Sequence, residues 1–220
     1  MSKRYNLPMN RSHLHGRAGA TTLILIAAVA VAIGFLAGSR LLVKPEVTLR
    51  SAVMYPVPAA VPDFTLRRAD GASLTLADWR GHWTVVFFGF THCPDVCPST
   101  LAVFKQVLTD LAAQGLGDKV RFDFVSVDPQ RDTPELLSSY VGFFHPDFVA
   151  ATGDDVELSR LTRALGMVYA RGPIENGTYS VDHSASVVIV DPQGRRAGLF
   201  RPPFDAAAIT ADLAALAGAP

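Results

Sequence analysis

The run Thr84-Val-Val-Phe-Phe-Gly-Phe90 is almost continuously apolar. A strand of this kind has no solvated face, so it must lie inside a sheet that is covered on both sides. Beyond it come the chain's only two cysteines, in Thr91-His-Cys-Pro-Asp-Val-Cys-Pro98. Pro98 suits the first turn of a helix, and Leu101, Phe104, Val107, Leu108 and Leu111 follow at helical spacing. Val120 to Val127 then reads as a second strand. Strand, helix, strand in this order is a parallel unit with a right-handed crossover, and it predicts an α/β domain with both thiols at a strand-to-helix junction.

The remaining pattern fills out that domain. Asp63–Leu66 and Ser73–Leu76 flank a turn at Ala69-Asp-Gly71, which predicts an N-terminal hairpin. Thr133-Pro-Glu-Leu136 opens a helix to about Phe144, with Thr133 as cap and Pro134 in the first turn. Phe148–Ala150 reads as a short strand and Asp154–Leu165 as a helix with Leu158, Leu161 and Leu165 inward. Ser184–Val190 and Ala197–Phe200 flank the turn Asp191-Pro-Gln-Gly194 as an antiparallel pair. Ala206–Leu216 closes the chain as a helix.

Ahead of the domain, residues 18–39 carry no charge and are long enough to cross a hydrocarbon core of about 30 Å. We expect one uncleaved transmembrane anchor there; a removed secretory signal is the alternative, but no convincing small-residue cleavage site follows. Lys3, Arg4, Arg11 and Arg17 precede the span, and Arg40, Lys44 and Arg50 follow it. That balance places residues 1–17 in the cytoplasm by a small margin. The expected organisation is a basic N-terminus at 1–17, an anchor at 18–39, a tether rich in Pro and Val at 40–60 and a domain at 61–220. The setting it favours is single-pass in a bacterial inner membrane with the domain in the periplasm; a mitochondrial presequence is the competing reading of the basic head.

The formal charge of zero hides an asymmetry. Residues 1–50 hold seven Lys/Arg and one acid, which leaves thirteen Lys/Arg against nineteen acids, a net of −6, in residues 51–220. A domain of that balance offers no basic face to nucleic acid.

Cys93 and Cys97 stand at i and i+4, one helical repeat apart, so their sulfurs can reach one metal ion or each other. Their α-carbons would be about 6 Å apart, within the span of a disulfide. A helix N-terminus is expected to lower the thiol pKa, which favours metal binding and nucleophilic chemistry alike. A purely structural disulfide is the plainer reading, and so short a loop would gain little from it. Among the histidines, His13 and His15 precede the anchor. His82 and His145 read as solvated loop residues, and His92 adjoins Cys93 but neighbouring residues seldom point at one centre. His183 is the best third ligand, because it would begin the strand Ser184–Val190 beside the end of a parallel neighbour; a loop histidine with a satisfied hydrogen bond is the alternative. Two thiolates and an imidazole suit Cu(I) and can also hold Cu(II) where a weak further ligand or water is available, whereas structural zinc normally takes four protein ligands. Met54 and Met167 read as tether or core residues rather than as thioether ligands.

Three segments together carry a family resemblance: Phe88-Gly-Phe-Thr-His-Cys-Pro-Asp-Val-Cys-Pro98, Ser126-Val-Asp-Pro-Gln-Arg-Asp-Thr-Pro134 and Val181-Asp-His-Ser184. From about Pro62 onward the chain resembles the Sco/SenC family of membrane-anchored, thioredoxin-like copper chaperones. The resemblance implies a thioredoxin-like α/β fold with a central mixed sheet flanked by helices. It also implies one copper ion per chain, Cu(I) or Cu(II), on Cys93, Cys97 and His183, and a part in assembling the dinuclear copper centre of cytochrome c oxidase. Asp128 matches the family pattern too; its own context favours a turn role, with support of His183 or the cysteines as the alternative. Gly172–Ser180, ahead of His183, looks like the family's variable hairpin loop, and Asn176-Gly-Thr178 reads as a turn rather than a glycosylation site.

The partners this implies are the copper-site subunit of cytochrome c oxidase and the membrane, with other periplasmic copper chaperones or thioredoxin-like reductants as further candidates. A metallochaperone needs no catalytic residue. The competing function is a thiol:disulfide oxidoreductase with Cys93 and Cys97 as the redox pair, although the more usual thioredoxin-like spacing is CxxC. A peroxidase reading has only the dithiol in its favour.

Overall fold

The structure, a computed structural model, describes residues 16–42, 48–174 and 177–218, and within 16–42 it describes side chains chiefly from Thr22 to Phe35. The chain divides into two compact units between residues 46 and 47. The first contains a helix, α1 (Gly16–Leu42). Residues 18–39, expected as the anchor, lie within it, and Leu23, Ile24, Leu25, Ile26, Val31 and Phe35 are all exposed. Among the described residues no helix is long and apolar enough to cross a membrane, so the spanning reading rests on the sequence alone.

The second unit runs β1 (Ala52–Ala60), β2 (Thr65–Arg68), β3 (Ser73–Thr75), β4 (Trp83–Gly89), α2 (Val96–Ala113), β5 (Val120–Ser126) and α3 (Pro134–Phe144). It continues with β6 (Val149–Thr152), α4 (Asp155–Ala164), β7 (Tyr169–Arg171), β8 (Val181–His183), β9 (Val187–Val190), β10 (Arg195–Phe200) and α5 (Ala206–Gly218). Eight strands form one mixed sheet in the order β1-β10-β9-β4-β5-β6-β2-β3, and β7 and β8 form a separate hairpin. The pairs β4–β5 and β5–β6 are parallel, as the crossover pattern requires.

The apolar strand β4 lies in the middle of that sheet, with Val85 to Phe88 no more than 1% exposed. Its alternate residues feed two cores. Val86, Phe88 and Phe90 pack with Leu158 and Leu161 of α4 and with Val181 of the hairpin. Val85 and Phe87 pack with Leu101 and Phe104 of α2, Leu137 of α3 and Leu213 of α5. The α/β architecture with helices on both faces is therefore the one that the apolar run demands.

Two local expectations change. Residues 52–60, read as part of the tether, form the edge strand β1 on β10, with a register shift between Met54 and Ala59. Pro56 and Pro58 cannot donate to a ladder, which confines such a strand to a sheet edge and blurs its alternation in the sequence. The expected strand Ser184–Val190 is shortened to β9, which starts only at Val187, and His183, expected at its start, instead ends β8. Ser184 makes the break, because its amide donates to the carbonyl of Val168 and its hydroxyl accepts from the amide of Val168, which keeps the His183 side on the hairpin.

Candidate metal centre

The end of β4 delivers the chain to the site. Thr91, just past the strand, donates its amide to Asp132 Oδ2 at 3.0 Å and its hydroxyl to Asp132 Oδ1 at 2.5 Å. Ser126 at the end of the neighbouring β5 donates to the same carboxylate at 2.5 Å. Asp132, fully buried, thus ties the cysteine loop to the parallel strand beside it. Cys93 follows in a turn, its amide donating to Phe90 O at 3.3 Å.

α2 starts at Val96, with Asp95 as its cap residue, so only Cys97 of the pair is helical. The amide of Cys97, one of the free donors of the first turn, points at Cys93 Sγ from 3.5 Å. Cys93 is partly exposed and Cys97 is buried, and both are free thiols. Burial pushes the Cys97 thiol far above its ordinary range, and the neighbouring Cys93 and Asp132 push the same way. The expected lowering by the helix end is therefore reversed at Cys97, where loss of water outweighs the dipole.

His183 arrives from the hairpin. Its Nδ1 lies 3.1 Å from the carbonyl of Ser184, which can only accept, so Nδ1 carries the hydrogen and Nε2 is left with a lone pair. Nε2 stands 3.5 Å from Cys97 Sγ. The rings of Phe87 and Phe90 lie 5.7 and 5.9 Å away, edge-on to the imidazole. Burial holds the pKa of His183 below its ordinary value, which keeps the ring in the neutral form that binds metals. One ligand atom each from Cys93, Cys97 and His183 lies within 4.8 Å of the other two. Soft thiol sulfur and a neutral imidazole, gathered in a half-buried cup, form a donor set for copper.

Asp128 does more than organise its turn. Its carbonyl accepts from the amides of Arg131 and Asp132, as a turn requires. Its carboxylate, fully buried, also accepts from Arg131 Nε and from the hydroxyl of Tyr179 at 2.5 Å. Arg131 reaches on to the carbonyl of Tyr179 at 2.9 Å and lies 3.8 Å over its ring. Tyr179 sits two residues before β8, so this network clamps the hairpin that carries His183 without touching the ligand itself. Arg171 at the end of β7 adds an ion pair to Asp155 at 2.6 Å and a bond to Val127 O at 3.0 Å.

The other sequence candidates separate cleanly. His82 and His145, expected to be solvated, are partly buried: His82 Nε2 bonds to Asp78 O, His145 Nδ1 accepts from the amide of Asp147, and neither is in the clustered set. His92 is beside Cys93 but outside the clustered set. Met167 is buried in the core, and Met54 packs against the opposite core, as expected. His13, His15 and Asn176 lie outside the described residues; Gly177 has φ +78°. Sequence reasoning missed Asp132, Arg131 and Tyr179. Asp132 and Arg131 lie within the motif Ser126–Pro134, whereas no pattern in the chain marks Tyr179.

The SCO1/SenC family profile matches residues 54–218. This chain belongs to the SCO1/SenC family. Among its SCO1/SenC relatives of known structure is ScoI of Bradyrhizobium japonicum with copper bound, 34% identical, with a TM-score of 0.66 over 72% of this chain and 99% of that one. The solution structure of apo Sco1 from Thermus thermophilus is also 34% identical, with a TM-score of 0.69 over 77% and 97% of the two chains. The mitochondrial SCO2 homolog of Bos taurus is 38% identical over 133 residues, which are 60% of this chain and half of that protein. The thioredoxin-like fold expected from the sequence is the one these structures share with the second unit.

Proposed function

We propose that this chain is a copper chaperone that holds one copper ion on Cys93 Sγ, Cys97 Sγ and His183 Nε2 and delivers it to the copper-site subunit of cytochrome c oxidase. The observation that carries the reading is the convergence of these three atoms within 4.8 Å, in a family with relatives that are solved with copper bound. The chain's own residues supply the rest. Asp132 fixes the cysteine loop, the Asp128, Arg131 and Tyr179 network fixes the hairpin, and Ser184 fixes the tautomer that turns Nε2 toward the sulfurs. Binding must displace the Cys97 proton, because burial favours the thiol until the ion arrives.

The test is an anaerobic copper titration of the reduced protein. One copper per chain is expected, and His183→Ala should weaken binding about tenfold or more. Unchanged affinity in His183→Ala would sink the three-ligand site.

A second reading rests on the unequal burial of the thiols. Cys93 is partly exposed and Cys97 is buried behind it, an attacking and a resolving position for reducing the disulfide of an apo copper protein. Reduction of a partner disulfide at useful rates that persist in His183→Ala would favour it. In either role α1 is the proposed single-pass anchor, with the domain on the periplasmic side, supported by the uncharged residues 18–39 and their basic flanks. Extraction of the chain from membranes by alkaline carbonate would count against that anchor.

A further inference from the structure

Two histidines flank the thiols, and the clustered site uses only one. His92 stays outside, its side chain 49% exposed against the buried Asp132. Its proton is nevertheless placed. The hydroxyl of Thr91 donates to Asp132 Oδ1, and a hydroxyl has a single hydrogen to give. Toward His92 Nδ1, 3.0 Å away, the same oxygen therefore offers only a lone pair, so Nδ1 must be the N–H. Asp132 Oδ1 at 3.6 Å from Nδ1 favours the same tautomer. In the neutral ring the lone pair then belongs to Nε2.

Carboxylate, hydroxyl and imidazole in series is the kind of outer support that metal-binding histidines receive. The carboxylate is also the one that fixes the loop leading to Cys93, so the imidazole and the more exposed thiol share one buried anchor. Exposure grades outward from buried Cys97 through partly exposed Cys93 to His92.

We propose that His92 Nε2 is a transfer ligand, which takes the copper ion at the mouth of the site, passes it to Cys93 Sγ and receives it again on release. In the inward step the bond from copper to His92 Nε2 breaks as the bond to Cys93 Sγ forms. Copper keeps its oxidation state, and any proton on the thiol leaves to water. A transfer ligand lowers the barrier in both directions. It therefore changes uptake and release by one common factor and leaves their ratio, the affinity, in place.

This inference rests on the copper reading, and one experiment separates their failures. The full chain in detergent micelles is loaded with Cu(I) anaerobically and mixed with bicinchoninate, a chromogenic Cu(I) chelator, and uptake by the metal-free chain is followed in the reverse mix. In His92→Ala, release and uptake should both slow about tenfold, while affinity stays within about twofold. Thr91→Val, which frees the tautomer, should slow them less, and His92→Met, which offers a soft thioether, should recover much of the rate. A wild-type chain that binds no copper overturns the copper reading and the relay together. Wild-type binding with unchanged rates in His92→Ala overturns the relay alone, as does a loss of affinity equal to the loss of rate. A slowing that His92→Met does not relieve reduces His92 to a loop residue and overturns it as well.

Discussion

Gly89 leaves the space in which the thiol of Cys97 lies. A methyl group on Gly89 would stand 2.7 Å from Cys97 Sγ and 2.8 Å from the ring of Phe124, closer than carbon can approach either atom. The last residue of β4 is thus small because the first turn of α2 packs its ligand directly against the strand. Gly89→Ala should destabilise the fold by about 1–3 kcal/mol through overpacking. It should also displace Cys97 and weaken copper binding about tenfold, so urea melts and copper titrations should both register it. A variant with wild-type copper affinity would show that Cys97 tolerates the shift.

The clamp on the hairpin predicts a different pattern. Tyr179→Phe removes one bond to the buried Asp128 carboxylate and leaves the three ligands untouched. We expect a loss of about 1 to 2 kcal/mol, since the acceptor is charged. Copper affinity should fall several-fold because His183 is held less firmly. Asp128→Asn should cost more, about 3 kcal/mol, because Arg131 loses its buried partner. If both variants melt early but bind copper as the wild type does, the clamp serves the fold and not the site.

The site was legible where its chemistry is local. Cys93 and Cys97 share a short motif, and the apolar strand ahead of them fixed where in a sheet they would stand. His183 comes from across the fold, and the residues alone supported it only as the best of several histidines. The resemblance of Val181-Asp-His-Ser184 to a family motif singled it out. The thiol pKa went the other way from expectation because burial of Cys97 depends on the space left by Gly89 and on the helices of one core, which no spacing rule contains. Tyr179 was invisible for a related reason: its value lies in reaching Asp128 from fifty-one positions away. β1 was missed because edge strands with proline lose the alternation by which strands are read.

Asp212 of α5 holds the start of that strand. Its carboxylate accepts from the amides of Arg50, Ser51 and Ala52 at 2.7, 2.8 and 2.7 Å and from the hydroxyl of Ser51 at 3.0 Å. Asp212→Ala leaves three amides without this partner and should cost about 3 kcal/mol. The loss should be confined to the β1 edge, so hydrogen exchange at Ser51 and Ala52 should speed up while Val85 to Phe88 stay protected. Uniform loss of protection would mean that β1 is part of the cooperative core.

Asp123 gives the fold a pH dependence of its own. It lies in β5, 2% exposed, and accepts from Trp79 Nε1 at 2.7 Å. Burial raises its pKa to about 6 from an ordinary 3.8, and the Trp79 bond and Arg121 and Arg68 only partly offset that. The folded state therefore binds a proton that the unfolded chain has released between about pH 4 and pH 6. Stability from this group is complete below pH 4 and is lost as pH rises through 6, because the charged form must then be kept out of water. A shift of about two pH units amounts to on the order of 2–3 kcal/mol. Asp123→Asn keeps an acceptor for Trp79 and removes the charge, so it should be more stable than the wild type at pH 7.5 and little different at pH 4. Urea melts at both pH values decide the matter, and a variant that is less stable at pH 7.5 would mean that the carboxylate is better solvated in the sheet than its burial indicates.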